Sequence, residues 1–233
     1  MEALKNLNNL IDSSEIVALL NKTASTLENT EDLNPLVGYI GDAKYVLLGE
    51  ASHGTHEYYT WRAKITQRLI QEKGFSFVGV KGDWPDCYHL NRYAKGYLDS
   101  GKDIFSVMNE FNRWPTWMWA NWEIAAFIDW LEVYNENLYK DQRIGFYGLD
   151  VYSFRKSMNS IIQYLEKNDP KALAIAKKAM KCFEPYNRDE GQSYARASSF
   201  VPKLCKIEIL HMLTEIIKNV PNYNHDPENV LST

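Results

Sequence analysis

Residues 45–80 read YVLLGEASHGTHEYYTWRAKITQRLIQEKGFSFVGV, two short apolar runs on either side of a helical pattern. The runs 45–50 and 75–80 have the length and apolar content of buried strands. Between them the pattern over about 55–73 is helical, with Thr55 as an N-cap and Gly74 as a stop signal. Because a strand, a helix and a strand in this order typically form a βαβ unit, the stretch predicts a parallel sheet.

The rest of the chain extends this pattern. RIGFYGLDVY (143–152) predicts a third strand, and the segments 13–29, 84–98, 114–138 and most of the remainder to about residue 220 are helical in pattern. The predicted fold class is therefore α/β, with a parallel sheet of few strands, many long helices and a catalytic crevice at the C-terminal strand ends. We expect residues 1–233 to form a single helix-rich domain. Three strands are few for so much helix, which predicts that the chain is the N-terminal part of something longer.

The amino-acid composition argues against several classes of protein, among them nucleic-acid-binding and membrane proteins. The 233 residues are 45% hydrophobic and 24% charged, values of an ordinary globular protein, and 26 basic against 30 acidic residues give a net charge of −4. This balance gives no reason to expect a nucleic-acid or membrane partner. No apolar run approaches about 18 residues, and the N-terminus lacks the apolar core of a signal peptide. Three cysteines without a CxxC pair favour a reducing compartment, and we expect a cytoplasmic protein.

Charged side chains stand within two residues of a glycine at the end of each predicted strand, namely Glu50, Lys81, Asp83 and Asp150. Ligands of open α/β sheets bind outside the carboxyl ends of the strands, so parallel strands would bring these four side chains to one crevice. The first loop adds His53 and His56, and Gly54 allows a tight turn that presents His53. The alternative interpretation is that the acids cap the following helices.

Two charged residues fall on apolar helical stripes. Arg62 shares a stripe with Tyr58, Ile65 and Leu69, and a buried guanidinium needs a carboxylate, for which Glu50 is the natural candidate. Otherwise the Arg62 stem is buried and its head reaches water.

Glu123 shares a helical face with Trp119, Ala126 and Trp130, where an acid could donate a proton. It could equally pair with a lysine or with Arg113. The aromatic content of 13% suits a core and also a pocket for a bulky ligand.

Four segments together resemble the erythromycin esterase family, some of whose members are labelled succinoglycan biosynthesis proteins. They are GEASHGTHEYYTWRAKITQRLIQEKGF, GDWPDCYHLNRYAKGY, RWPTWMWANWEIAAFIDW and GFYGLDVYS. The similarity as a whole runs from about residue 38 to 160. The resemblance implies metal-independent hydrolysis of an ester, a macrolide lactone in the antibiotic-resistance branch, with His53 as general base accompanied by Glu50 and Arg62. We assign these three residues to catalysis, with no cofactor, and assign substrate binding to His56, Lys81, Asp83, Trp119, Glu123 and Asp150.

The chain departs from the family pattern in two ways. Family sequences usually carry a glutamate where this chain has Lys81, which could pair with Glu50 and neutralise the site. Family members also run well beyond 233 residues, and a later segment with a further site histidine has no match here. Two alternatives to an esterase follow: a protein that binds without turnover, and a metal-dependent hydrolase with Glu50, His53, Asp83 and Asp150 as ligands.

Overall fold

The computed structural model describes residues 13–50, 52–97, 103–109, 111, 116–150, 153–183 and 203–223. The chain divides into two compact units, Met1–Phe75 and Ser76–Thr233. That the whole chain forms one domain stays a prediction.

The first unit contains three helices in its described part, with bounds α1 (Ser13–Thr23), α2 (Asn34–Ile40) and α3 (His56–Lys73). The helix predicted for 55–73 is confirmed as α3. Thr55 is its N-cap residue, and Gly74 ends it with φ of +70°, the left-handed conformation that glycine adopts without strain. The first predicted helix is shorter than expected and ends at Thr23.

The prediction of a buried strand over 45–50 is wrong for this structure. The segment is not part of any sheet in the described residues, and Tyr45 and Leu47 are 81% and 94% exposed. An apolar run becomes a strand only where a neighbouring strand satisfies its backbone N–H and C=O groups. Hydrophobic sequence by itself does not supply that neighbour.

The second unit is built on two parallel strands, β1 (Phe77–Asp83) and β2 (Gly145–Asp150). Its described helices are α4 (Trp84–Ala94), α5 (Ile104–Met108), α6 (Trp122–Glu136), α7 (Phe154–Asn168), α8 (Pro170–Phe183) and α9 (Lys203–Tyr223). The unit is thus mostly helical around a small parallel sheet, which is compatible with the predicted α/β class. Where a catalytic crevice lies stays a prediction.

Helix α6 begins eight residues later than the pattern over 114–138 predicts. Asn121 is its N-cap, with a side-chain oxygen that accepts a hydrogen bond of 2.9 Å from the Ile124 N–H. Before it, Thr116–Met118 form one turn of 3-10 helix. An N–H group in the first turn of a helix has no carbonyl partner within the helix. The Asn121 side chain supplies that partner, so it favours a helix that begins at Trp122 over one that extends further toward the N-terminus. Trp119 consequently lies outside the helix.

Aromatic side chains of α4 and α6 pack against β2, where Trp84 of α4 stacks on Tyr147 and Phe127 of α6 contacts Phe146. Phe146 of β2 is nearly fully buried and contacts the rings of Phe127 and Trp119, with centroids 6.3 and 6.2 Å away. A second apolar cluster joins α7, α8 and α9. Cys87 is buried and free, whereas Cys182 is disulfide-bonded, which the cysteine count did not predict. Among the described residues no helix has both the length and the apolarity to cross a membrane.

Two buried asparagines join the helices to β2. Asn135 of α6 donates to the carbonyls of Ala94 and Ile144 at 2.8 and 2.9 Å and accepts from the Ile144 N–H at 2.7 Å. Asn91 of α4 accepts from the Phe146 N–H at 2.9 Å. These amides satisfy backbone groups that the sheet edge would otherwise leave buried and unpaired, and they fix the sheet against both helices.

We expect Asn135→Leu to lower the free energy of unfolding by about 3–5 kcal/mol, because it leaves three buried backbone groups without partners. Urea unfolding followed by tryptophan fluorescence measures this loss. Asn137→Leu is the matched control, since Asn137 is exposed two residues further on and donates to a single carbonyl, that of Val133. Equal losses in the two variants would contradict the role given to Asn135.

Candidate functional site

The turn before α3 holds a histidine against a carboxylate. His53 Nδ1 donates to Glu50 Oε1 at 2.5 Å, and both side chains are about one-third to two-fifths exposed. Gly54 has φ of +75°, and the hydroxyls of Ser52 and Thr55 share a hydrogen bond of 2.7 Å across the turn. The local sequence therefore presents an oriented imidazole that solvent can reach, which suits a general base.

Arg62 does not pair with Glu50 as predicted. In the described part of the chain no ion pair joins these two residues. The Arg62 guanidinium carbon lies 5.5 Å from the ring centroid of Tyr59, three residues earlier on α3. Tyr59, rather than Tyr58, is the buried tyrosine. The negative face of its ring stabilises the positive charge of the Arg62 guanidinium. His56, the first residue of α3, is exposed.

The acids at the two strand ends of the second unit are neighbours. Asp83 and Asp150 face each other in the β1–β2 register. Asp83 occupies the N-cap position of α4 but makes no capping bond, and its Oδ1 accepts from the Ser153 N–H at 3.1 Å. Asp150 Oδ2 is buried and has no hydrogen-bond partner among the described residues. The parallel strands do bring these two predicted site residues together, and Asp83 ties the end of β1 to the start of α7.

Sequence reasoning missed a third acid at this end of the sheet. Asp86 is buried in the first turn of α4 and forms an ion pair with Lys156 of α7. Burial, followed by the charges of Asp86, Asp83 and Asp150, raises the pKa of the adjacent Cys87 thiol above its usual range. The thiol therefore stays protonated and is a poor nucleophile. The sequence signal that could have indicated Asp86 is its position directly after Trp84-Pro85, at the start of a predicted helix.

Trp119 and Lys81 meet through the backbone. Trp119 Nε1–H donates to the Lys81 carbonyl at 2.8 Å, while the Lys81 side chain is exposed on β1. Between Val80 and Asp83 the strand register shifts, and a Cβ at Gly82 would lie 2.6 Å from the Cys87 sulfur. Glycine is thus required where the strand end, α4 and the indole converge.

The predicted shared face of Glu123 and Trp119 is wrong, because α6 starts at Trp122. Glu123 instead lies in the first helical turn, where a negative charge is favourable next to the positive end of the helix dipole. Arg113, one of its predicted partners, lies outside the described residues.

The predicted residues fall into two groups, one in each unit: Glu50, His53, His56 and Arg62 in the first, and Lys81, Asp83, Trp119, Glu123 and Asp150 in the second. A pair of Lys81 with Glu50 stays a prediction. Across the described residues no group of three or more His, Cys, Asp or Glu side chains is arranged to hold a metal ion.

Comparison with known sequences identifies a family. Residues 70–231, more than half of the chain, match the family described as erythromycin esterase. The match extends beyond the expected residues 38–160 at one end and begins after the Glu50–His53 turn at the other. A curated relative, "Erythromycin esterase type II" of Escherichia coli, is 26% identical over 152 residues, which are 64% of this chain and 34% of the relative.

Two solved structures share the fold. A protein from Bacillus cereus is 24% identical, with a TM-score of 0.68, and a succinoglycan biosynthesis protein is 24% identical, with a TM-score of 0.65. Each alignment covers 94% of this chain and 53% of the other. The chain spans about half the length of these two proteins and about a third of the curated relative.

We expect Gly148→Ala to lower the free energy of unfolding by about 3 kcal/mol, because the new Cβ would lie 2.6 and 2.7 Å from the carbonyl oxygens of Gly82 and Asp83. Rigid backbone cannot yield to it as a side chain can. The control is Gly79→Ala on the same sheet, where the Cβ meets the exposed side chain of Leu149 at 3.2 Å. This change should cost less than about 1 kcal/mol. Thermal and urea unfolding of both variants checks the difference, and equal stabilities would refute it.

Proposed function

We propose that this chain, which belongs to the erythromycin esterase family, is a hydrolase in which His53 activates water against an ester or lactone. The observation that carries the proposal is the 2.5 Å hydrogen bond between His53 Nδ1 and Glu50. A carboxylate on one ring nitrogen orients the imidazole and stabilises the positive charge that it acquires as a base. The turn that holds the pair lies outside the matched family range, so its role is argued from its own geometry.

The reaction divides between two side chains. His53 takes a proton from water at Nε2, and the water oxygen attacks the carbonyl carbon of the ester. The tetrahedral intermediate then expels the alcohol oxygen, which receives the proton back from His53, and the products are a carboxylic acid and an alcohol. Arg62 is the proposed donor to the oxyanion, since the Tyr59 ring contacts its guanidinium and no ion pair with a carboxylate is seen for Arg62 among the described residues.

Family membership supports a choice of substrate class to test. The name of the Escherichia coli relative assigns erythromycin to that protein, which supports a macrolide lactone as the first substrate to test here. The assignment of His56 in the first unit to substrate binding stays a prediction, and so does the separate assignment of Lys81, Asp83, Glu123 and Asp150 in the second unit. Cytoplasmic location and the absence of a cofactor stay predictions.

Binding without turnover is the second candidate function. One feature favours it: Lys81 stands where the resemblance to the family leads us to expect a glutamate. Measuring binding and hydrolysis separately distinguishes the two functions.

We expect His53→Asn to lower kcat for lactone hydrolysis by about 10²–10⁴-fold, because the variant has no base. Glu50→Gln should lower kcat by less, about tenfold or more, since the imidazole remains but loses its orienting charge. Mass spectrometry of the ring-opened product from erythromycin measures both rates. His211→Asn, an exposed change on α9, is the control. Undiminished turnover in a folded His53→Asn protein would refute the assignment.

Arg62→Met tests the oxyanion role. We expect kcat to fall by about 10²–10³-fold with KM little changed, because the lost interaction strengthens only in the transition state. The free energy of unfolding should fall by about 1–2 kcal/mol, the size of one partly buried cation–π contact. A large loss of stability with kcat unchanged would make Arg62 a structural residue and overturn its catalytic role.

A further inference from the structure

The threonine at the start of α3 does not use its hydroxyl as a helix cap. Thr55 is the N-cap residue, where a threonine side chain normally accepts a hydrogen bond from the second or third helical N–H. Among the described residues its side chain makes no such bond. The Tyr58 N–H, one of the two donors that such a cap serves, donates instead to the Thr55 backbone carbonyl at 3.1 Å. The Thr55 hydroxyl is therefore available for a contact outside the helix.

That contact lies across the turn that carries His53. The hydroxyls of Ser52 and Thr55 share a hydrogen bond of 2.7 Å, which closes a loop of four residues around His53 and Gly54. We call this contact the hydroxyl clasp. Gly54 has φ of +75° and no side chain, so its backbone has little restraint of its own. The clasp supplies a restraint at the point where the turn is most permissive.

The exposure of the Glu50–His53 pair makes such a restraint important. The two side chains are 34% and 40% exposed, so close packing does little to immobilise them. Their contact of 2.5 Å depends on the direction in which the turn points the imidazole. An error of about 1 Å in the placement of a catalytic group costs up to about 10²-fold in rate. A bond that ties the turn to the first residue of an 18-residue helix therefore helps to keep the pair together.

The hydrogen bond to Glu50 also decides which ring nitrogen of His53 carries the proton. With Nδ1–H donating to the carboxylate, the neutral imidazole has its lone pair on Nε2, the atom that takes a proton from water in the proposed reaction. A histidine side chain in water without such a partner favours the opposite tautomer, with its proton on Nε2. That tautomer has no lone pair at Nε2, so it cannot act as a base there.

We propose that Ser52 and Thr55 are positioning residues, whose hydroxyl clasp holds His53 on Glu50 in the Nδ1–H form. The inference rests on the proposed function for the reaction that the imidazole performs, but the tautomer is measured without any turnover. The two hydroxyls act through His53 and have no contact with the reacting atoms. The clasp also explains why the N-cap threonine does not cap: its hydroxyl stabilises the turn instead of the helix end.

Nitrogen-15 NMR of the full chain with labelled histidines tests the clasp. At about pH 9, well above the ordinary pKa of histidine, the ring ¹⁵N shifts report the tautomer, and the signal lost in His53→Asn assigns His53. Thr55→Val and Ser52→Ala should each lower its Nδ1–H fraction by about twofold or more, whereas Thr55→Ser, which keeps a hydroxyl, should retain it. Thr23→Val is the matched control, because it also removes a threonine hydroxyl of the first unit, one bonded to the Leu19 carbonyl at 2.8 Å.

Reaction rates give a second readout. For erythromycin hydrolysis we expect Thr55→Val and Ser52→Ala each to lower kcat by about tenfold while KM changes by less than about twofold, because the clasp positions the base and touches no substrate. The double variant should lose no more than either single variant, since both changes remove the same bond.

The clasp and the proposed function fail differently. If the hydroxyl changes shift the tautomer while kcat is undiminished, or while no form of the chain hydrolyses erythromycin, the proposed function fails and the clasp stands. An unchanged tautomer in a folded Thr55→Val protein overturns the clasp, whatever happens to kcat, and so does an unmodified chain with the His53 proton on Nε2. Should Thr55→Val fail to fold, Ser52→Ala decides the question in the same way.

Discussion

The parallel pairing of β1 with β2 is the constraint on which the second unit depends. The two strands lie more than sixty residues apart in sequence, and a two-stranded sheet is barely stable alone. At the start of β2, two buried asparagines accept backbone hydrogen bonds: Asn135 accepts from the Ile144 N–H, just before the strand, and Asn91 accepts from the Phe146 N–H within it. At the other end Gly148 allows the strands to approach closely, and Asp83 bonds across to the start of α7. Helices α4 and α6 are positioned by these contacts.

The same contacts decide what the acids at the strand ends do. Asp83 and Asp86 are buried and bonded to Ser153 and Lys156, so each contributes to the junction between the sheet and α7. A buried carboxylate with such partners stabilises structure only while both partners remain, because removing one leaves the other unpaired at high cost. Their participation in substrate binding would therefore be coupled to the stability of the junction.

The Glu50–His53 pair is built by a different principle. A glycine with positive φ and a hydrogen bond between two nearby hydroxyls shape its turn within a few residues. A half-exposed imidazole bonded to a carboxylate is suited to proton transfer, whereas the buried acids of the second unit are suited to holding strands together. Carboxylates thus have two roles in this chain: Glu50, in a partly exposed turn, orients an imidazole, whereas the buried Asp83 and Asp86 bond to groups that join the sheet to α7.

The sequence by itself determined what depends on neighbours along the chain: α3 with its caps Thr55 and Gly74, the strand character of 77–80 and 145–150, and the His53 turn. Only the tertiary structure decided the rest. The run 45–50 has the composition of a strand but pairs with no strand among the described residues. The Arg62 guanidinium contacts the Tyr59 ring instead of the Glu50 carboxylate. Trp119 became a support, leaving Trp117 and Trp122 exposed. In each case the deciding partner lies elsewhere in space, and hydrophobic periodicity carries no information about which groups meet there.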